Sequence, residues 1–207
     1  MIVSHKHKFI FIKTVKTAGT SVEIELNRVL GSDDIATPII PAVYGHKPQN
    51  HLYKKFRVLP RRMKNHMRAV EVLDSIGREV FESYFVFCIE REPIDKCLSH
   101  YSMLKNSPVH NRGNKSLTID SYIERGKFPV DTPKYIDGAG NLIVHKILRY
   151  ENIADELQEI GNMLGFNVDL KSKAKSGFRE KLSLRTPQKL KIYEAFESSN
   201  RYTGYKL

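Results

Sequence analysis

The sequence predicts an α/β domain built on a mainly parallel β-sheet, and three observations carry that prediction. Two short unbroken apolar runs, at residues 9–12 and 84–89, are each followed by residues repeating with helical period. Strand followed by helix, repeated along one chain, is the pattern of parallel strands joined by helical crossovers. The third observation is scale: 207 residues, 41% hydrophobic and 28% charged, fit one folded domain over 1–207. No internal repeat, low-complexity tract or linker divides it.

Residues 8–13 read Lys-Phe-Ile-Phe-Ile-Lys, and such aromatic and β-branched residues suit a buried strand. A small, hydroxyl-rich loop over 14–21 follows. Val22, Leu26, Val29 and Leu30 then fall at i, i+4, i+7 and i+8, with Gly31 placed as a helix C-cap glycine. Residues 69–81 predict an amphipathic helix on Val70, Val72, Leu73, Ile76 and Val80. The second strand, 84–89, runs into Arg91-Glu92-Pro93, where Pro93 suits the first position of a helix presenting Ile94, Cys97, Leu98 and Tyr101. A turn at 137–141 precedes a third strand within 142–150. Asn152 then caps a helix with Ile153, Leu157, Ile160 and Leu164 on one face, ended by Gly165. A last helix, 188–198, turns Leu190, Tyr193 and Phe196 inward.

Composition narrows the function classes. No window reaches the about 18 apolar residues of a membrane-spanning helix, and the run at 9–12 is too short for a signal-peptide core. A cytoplasmic protein is expected. Two cysteines, Cys88 and Cys97, build no disulfide framework and read as buried, inert side chains. The net charge is +11, distributed as +9 over 1–70, −5 over 71–170 and +7 over 171–207. Residues 47–68 hold eight basic side chains and no acid, and residues 171–191 hold eight against Glu180 alone. Basic ends around an acidic middle point to a polyanionic ligand, although a solubilising surface explains either run taken singly. A non-enzymatic nucleic-acid-binding protein is the alternative that the charge suggests. It leaves the motifs below to coincidence.

A buried strand, a loop of small residues and a helix form the geometry that holds phosphate: the free N–H groups of the first helical turn meet the anion and the helix dipole favours its charge. Ala18 and Gly19 permit close approach, Thr17, Thr20 and Ser21 add hydroxyls, and Lys16 adds a point charge. The nucleotide-kinase form of such a loop, Gly-x-x-x-x-Gly-Lys-Ser/Thr, fits poorly. Here the lysine precedes the glycine by three positions, no glycine lies upstream of it, and no apolar strand ends in an aspartate to hold magnesium. A small-molecule kinase is the weakest of the three readings.

The stretch Phe9-Ile10-Phe11-Ile12-Lys13-Thr14-Val15-Lys16-Thr17-Ala18-Gly19-Thr20-Ser21 resembles the 5′-phosphosulfate-binding loop of carbohydrate sulfotransferases of the heparan-sulfate type. These enzymes use 3′-phosphoadenosine 5′-phosphosulfate (PAPS). A second signature of that family is a strand leading to Arg-x-Pro with a serine eight residues after the arginine. Arg91, Pro93 and Ser99 stand at those positions. Leu148-Arg149-Tyr150-Glu151-Asn152-Ile153, the Leu164-Gly165 helix end and the final Gly204-Tyr205-Lys206-Leu207 resemble its closing pattern more weakly. The resemblance implies a three-layer P-loop-NTPase-like fold, PAPS as sulfonate donor, no metal, and a hydroxyl acceptor, a sugar and anionic in class.

The resemblance also assigns roles. Lys16 stands on the leaving-group side, Thr17, Ala18, Gly19, Thr20 and Ser21 grip the 5′-phosphate, and Arg91 with Ser99 take the 3′-phosphate. Arginine suits the last task because its planar fork pairs with two phosphate oxygens. The transfer needs a general base, and the family places a catalytic histidine between the two motifs, so His66 is the candidate, with His46 and His51 as fallbacks. His5 and His7 are expected at the exposed entry of the first strand, and His100 in a structural place. The basic segment 173–179 reads equally as a cover over the donor or as a solvated loop. Val15 replaces the family's usual proline, and Glu92 replaces its usual Asp or Asn, which puts a negative charge beside the expected 3′-phosphate.

Overall fold

Strands made of unbroken apolar runs have no polar side to offer water, so they must be covered on both faces. The computed structural model describes residues 1–53, 61–111, 116–170 and 182–207, and in it this expectation holds. Ile2–Ser4 (β1) and Phe9–Ile12 (β2) form an antiparallel hairpin whose residues are all buried. Gly19–Asn27 (α1) follows, then Ile35–Ala36 (β3), which pairs antiparallel with β1. Leu52–Tyr53 (β4) and Arg61–Arg62 (β5) make a separate two-stranded ribbon. Next come Ala69–Ile76 (α2), Arg78–Ser83 (α3), Phe85–Glu90 (β6), Pro93–Asn106 (α4), Pro108–Asn111 (α5) and Ile119–Arg125 (α6). Lys146–Arg149 (β7), Ile153–Leu164 (α7), Thr186–Ala195 (α8) and Glu197–Thr203 (α9) complete the order.

The described chain gathers into two compact units, one from residues 1–90 and 133–174, the other from 91–132 and 175–207. The first holds a five-stranded sheet in the order β3-β1-β2-β6-β7. The sheet is mixed rather than mainly parallel. β2–β6 and β6–β7 are parallel, whereas the two pairings made by β1 are antiparallel. Alternate residues Phe9, Phe11, Phe87 and Ile89 share one face with Ile2 and Leu148, and they pack against Val22 and Leu26 of α1 and Leu157 and Ile160 of α7. Phe87 meets Phe11 at 5.3 Å between ring centroids, and Phe9 meets Phe166 at 5.3 Å. Ile10, Ile12, Val86 and Cys88, on the opposite face, are equally buried. The second unit is helical. Cys97, Leu98 and Tyr101 of α4 pack with Tyr122 and Ile123 of α6 and with Ile192 and Phe196. Lys96, fully buried, pairs with Asp131 at 2.8 Å. Cys88 and Cys97 are both buried and outside any disulfide, and no helix among the described residues is long and apolar enough to cross a membrane.

Several element boundaries depart from the sequence pattern for local reasons. The helix predicted over 69–81 is two helices, because Gly77 adopts φ 88°, ψ 154° and breaks the ladder. Gly31 is not the cap of α1. The helix ends at Asn27 with Arg28 as C-cap, and Gly31 N–H instead donates to Asp34 Oδ2 at 2.8 Å. Only 146–149 of the stretch 142–150 is strand, while Leu142 bridges Ile136 across a turn closed by Asp137. Asn152 makes no side-chain cap to α7, which is entered through a 3-10 turn at Tyr150–Asn152. The helix expected over 188–198 breaks at Phe196, and Ile192 rather than the 45% exposed Leu190 turns inward.

Gly165 ends α7 in the left-handed region, φ 75°, as its position predicts. Gly161, inside α7, has a different reason to be glycine. A Cβ there meets the Phe166 carbonyl oxygen at 2.7 Å and Val168 Cγ1 at 3.0 Å. Gly161→Ala gains about 1 kcal/mol of helix propensity, but it forces backbone apart at a cost of about 1–3 kcal/mol. Thermal unfolding of Gly161→Ala is therefore expected below the wild-type midpoint. A rise in the midpoint contradicts this packing account.

Candidate functional site

β2 releases the chain at Lys13, directly opposite the end of β6, since the register sets Ile12 against Cys88. The Thr14 hydroxyl donates to the Ile89 carbonyl and lies 2.8 Å from Thr17 Oγ1, which pins the loop entrance to the neighbouring strand. Lys16 and Ala18 both stand in the left-handed region, at φ 61° and 57°. Neither is glycine, so each conformation carries strain of about 1–2 kcal/mol that the surroundings must hold. A left-handed Ala18 followed by the helical Gly19 turns successive N–H groups toward one point, a concavity suited to an anion. Ala18, at the N-cap, offers no side-chain cap, and no acidic residue lies in the first turn of α1.

The loop is clamped from behind by a charge pair that the sequence reading did not single out. Lys13, 4% exposed, lays its stem across Gly19, where a Cβ would stand 2.8 Å from Lys13 Cγ. Its Nζ donates to Thr20 Oγ1 at 3.2 Å and to Glu23 Oε2, and the Met1 amino group donates to Glu23 Oε1. Glu23 is completely buried. Burial alone raises its pKa, but the Met1 amino group and Lys13 outweigh that and hold it below the usual glutamate value. The signal that would have revealed it is an acid between Val22 and Ile24 on a helix buried on all sides.

His66 docks on the same residue. Its Nδ1 lies 3.0 Å from the Lys13 carbonyl oxygen, and the preceding Asn65 accepts from the Met1 amino group at 3.2 Å. A carbonyl only accepts, so the proton sits on Nδ1 and the neutral ring keeps its lone pair on Nε2. Burial against the strand end, followed by the charges of Lys134 and Lys13, lowers the His66 pKa to about 4, while the residue as a whole keeps exposed surface. The two fallback histidines do not reach the loop by hydrogen bonds. His46 Nε2 and His51 Nδ1 are buried without a partner, and burial lowers both pKa values.

The other candidate residues divide by unit. Thr17 turns its hydroxyl inward to Thr14, Ser21 is buried, and Thr20 is half-buried beside Lys13. In the second unit, Arg91 is 5% exposed and its Nε and Nη2 both bond Asp95 Oδ2. Asp95 and Ser99 are one helical turn apart on α4 and share one stripe of it, and Arg91, just ahead of the helix, reaches that stripe through Asp95. Glu92 is the N-cap of α4. Its carboxylate accepts from Ile94 N and Asp95 N at 3.0 and 2.7 Å and from the Tyr193 hydroxyl at 2.7 Å. Its charge is therefore directed at the helix end. His100 lies 3.0 Å from the Tyr122 hydroxyl, in a structural place, and His5 and His7 are half-buried in the β1–β2 turn, bonded to Tyr84 and to the Val29 carbonyl. Lys54, Lys55, Arg57 and the segment 173–179 lie outside the described residues.

No family model matches the chain, and no solved structure matches it. A protein of Archaeoglobus fulgidus described as uncharacterized is 27% identical over 108 residues, which is 50% of this chain and 87% of that protein.

Two stability predictions follow from these charges. Glu23→Gln leaves a buried lysine without its carboxylate and is expected to cost about 3–5 kcal/mol in urea unfolding, with a near-zero change contradicting the pairing. Acidification is expected to destabilise the wild type from about pH 6.5 down to about pH 4, because the unfolded chain protonates His66 before the folded one does. Glu23 adds its own loss as pH falls through its lowered native pKa. His66→Gln should flatten the upper part of that slope, and an unchanged slope would show that His66 is not held neutral.

Proposed function

We propose that the chain is a PAPS-dependent sulfotransferase acting on a hydroxyl group of a carbohydrate. The observation that carries the reading is the joining of an anion-shaped loop to a neutral imidazole through one residue, Lys13. The motif resemblance supports it, as does the strand–loop–helix order at β2 and α1 and the parallel pairing of β2 with β6, which brings both strands to their C-terminal ends on one side of the sheet. The proposal extends to a single sulfotransferase domain over 1–207 with a three-layer P-loop-like arrangement.

PAPS supplies an activated sulfonate and leaves as adenosine 3′,5′-bisphosphate. The chain's own residues hold, neutralise and deprotonate. The N–H groups of Thr17, Ala18, Gly19, Thr20 and Ser21, with the Thr20 and Ser21 hydroxyls, grip the 5′-phosphate. Lys16 neutralises charge on the leaving oxygen. Arg91, braced by Asp95, and Ser99 take the 3′-phosphate. His66 Nε2 accepts the proton of the attacking hydroxyl. Burial is the main cause of its low pKa in the free protein, and an anion bound near Lys13 and Lys134 offsets the two charges that lower it further.

Lys16→Ala and Arg91→Ala are expected to lower transfer of labelled sulfate from PAPS to a polysaccharide acceptor by about 100-fold or more, with Arg91→Lys as a milder companion should truncation disturb α4. Full activity in both alanine variants refutes the assignments. Adenosine 3′,5′-bisphosphate is expected to raise the His66 pKa followed by NMR. A pKa unmoved at saturation separates His66 from the site, and oligonucleotide binding with no response to the bisphosphate favours the nucleic-acid alternative.

A further inference from the structure

We propose that Lys13 is the positioning residue of this site, fixing the direction of the hydrogen bonds at both Thr20 and His66. The inference rests on the reading of the loop as a phosphate cradle. A lysine Nζ has three protons and no lone pair, so toward Thr20 it only donates. Thr20 Oγ1, 3.2 Å away, is therefore the acceptor, and its own proton is directed away from Lys13. A main-chain carbonyl has the opposite character. The Lys13 oxygen only accepts, so His66 Nδ1, 3.0 Å away, carries the proton and Nε2 the lone pair. One residue thereby makes a hydroxyl into a donor and an imidazole into an acceptor. These are the polarities that a phosphate oxygen and an attacking hydroxyl require.

Lys13 is also held for the task. Its stem occupies the space that any side chain at position 19 would fill, and Glu23, buried on α1, fixes its charge. A solvent-facing lysine would sample many rotamers, whereas this one is confined between the start of α1 and its counter-ion. Neither contact touches Lys16, so the point charge at the leaving group and the positioning charge behind it are separate lysines.

The test uses the full chain and two measurements. Long-range proton–nitrogen NMR of the ligand-free protein is expected to show His66 with its proton on Nδ1, and a proton on Nε2 overturns the proposal. Calorimetric affinity for adenosine 3′,5′-bisphosphate is then compared among wild type, Lys13→Met, Thr20→Val and the double variant. If Lys13 acts by orienting Thr20, each single change weakens binding about 10-fold and the double no further, whereas independent roles give about 100-fold for the double, which overturns it. Thr20→Ser should retain wild-type affinity. If Lys13→Met does not fold, Thr20→Val against Thr20→Ser decides, with equal losses overturning the proposal. Wild-type protein that does not bind the bisphosphate defeats the sulfotransferase reading, and the His66 tautomer then decides the positioning claim alone.

Discussion

The buried pair between Lys13 and Glu23 is the constraint around which the first unit is arranged. A carboxylate and an ammonium removed from water tolerate no loose geometry, because each must keep its partner or bear the cost of desolvation alone. Glu23 lies on α1, which packs against the sheet face that carries Phe9 and Phe11, and Lys13 lies where β2 ends, so satisfying the pair fixes the helix start against the strand exit. The loop between them has little freedom left. Glycine at 19 follows because the lysine stem passes there, and the left-handed Lys16 and Ala18 are held by a frame that does not yield.

The second unit contributes a different kind of order. Arg91 opens it and is braced by Asp95 one turn into α4, while Glu92 neutralises the positive end of that helix and anchors Tyr193. With Glu92 committed to the cap, its charge rests on backbone N–H groups and on the Tyr193 hydroxyl. The Asp95 contact engages the Nε and Nη2 edge of Arg91 and thereby orients the guanidinium.

Much of this was legible in the sequence where a signal is local and strong. β2 and β6 announced themselves as unbroken aromatic and β-branched runs, and α7 as a four-residue apolar face closed by Gly165. β1 and β3 did not, because three- and two-residue strands carry no periodicity and are created by pairing with distant partners. Their antiparallel pairing is why the sheet is mixed. The loop residues are visible as a motif, and only the motif resemblance singles out His66 among the eight histidines. That His66 bonds Lys13, and that Thr17 faces inward, depend on contacts the sequence does not encode locally. Lys13 and Glu23 read as an ordinary charge at a strand end and another on a helix, since their ten-residue separation has no pattern of its own.

The proposal stands on the binding of a doubly phosphorylated adenosine, with one phosphate assigned to the loop of residues 16–21 and the other to Arg91. Calorimetric titration of the full chain with adenosine 3′,5′-bisphosphate and, separately, with adenosine 5′-monophosphate tests it most directly, without magnesium. The account predicts that the bisphosphate binds at least about 10-fold more tightly, the scale of one charge-assisted arginine contact, and that Arg91→Ala removes the difference. Equal affinity for the two nucleotides, or no binding of either, contradicts it.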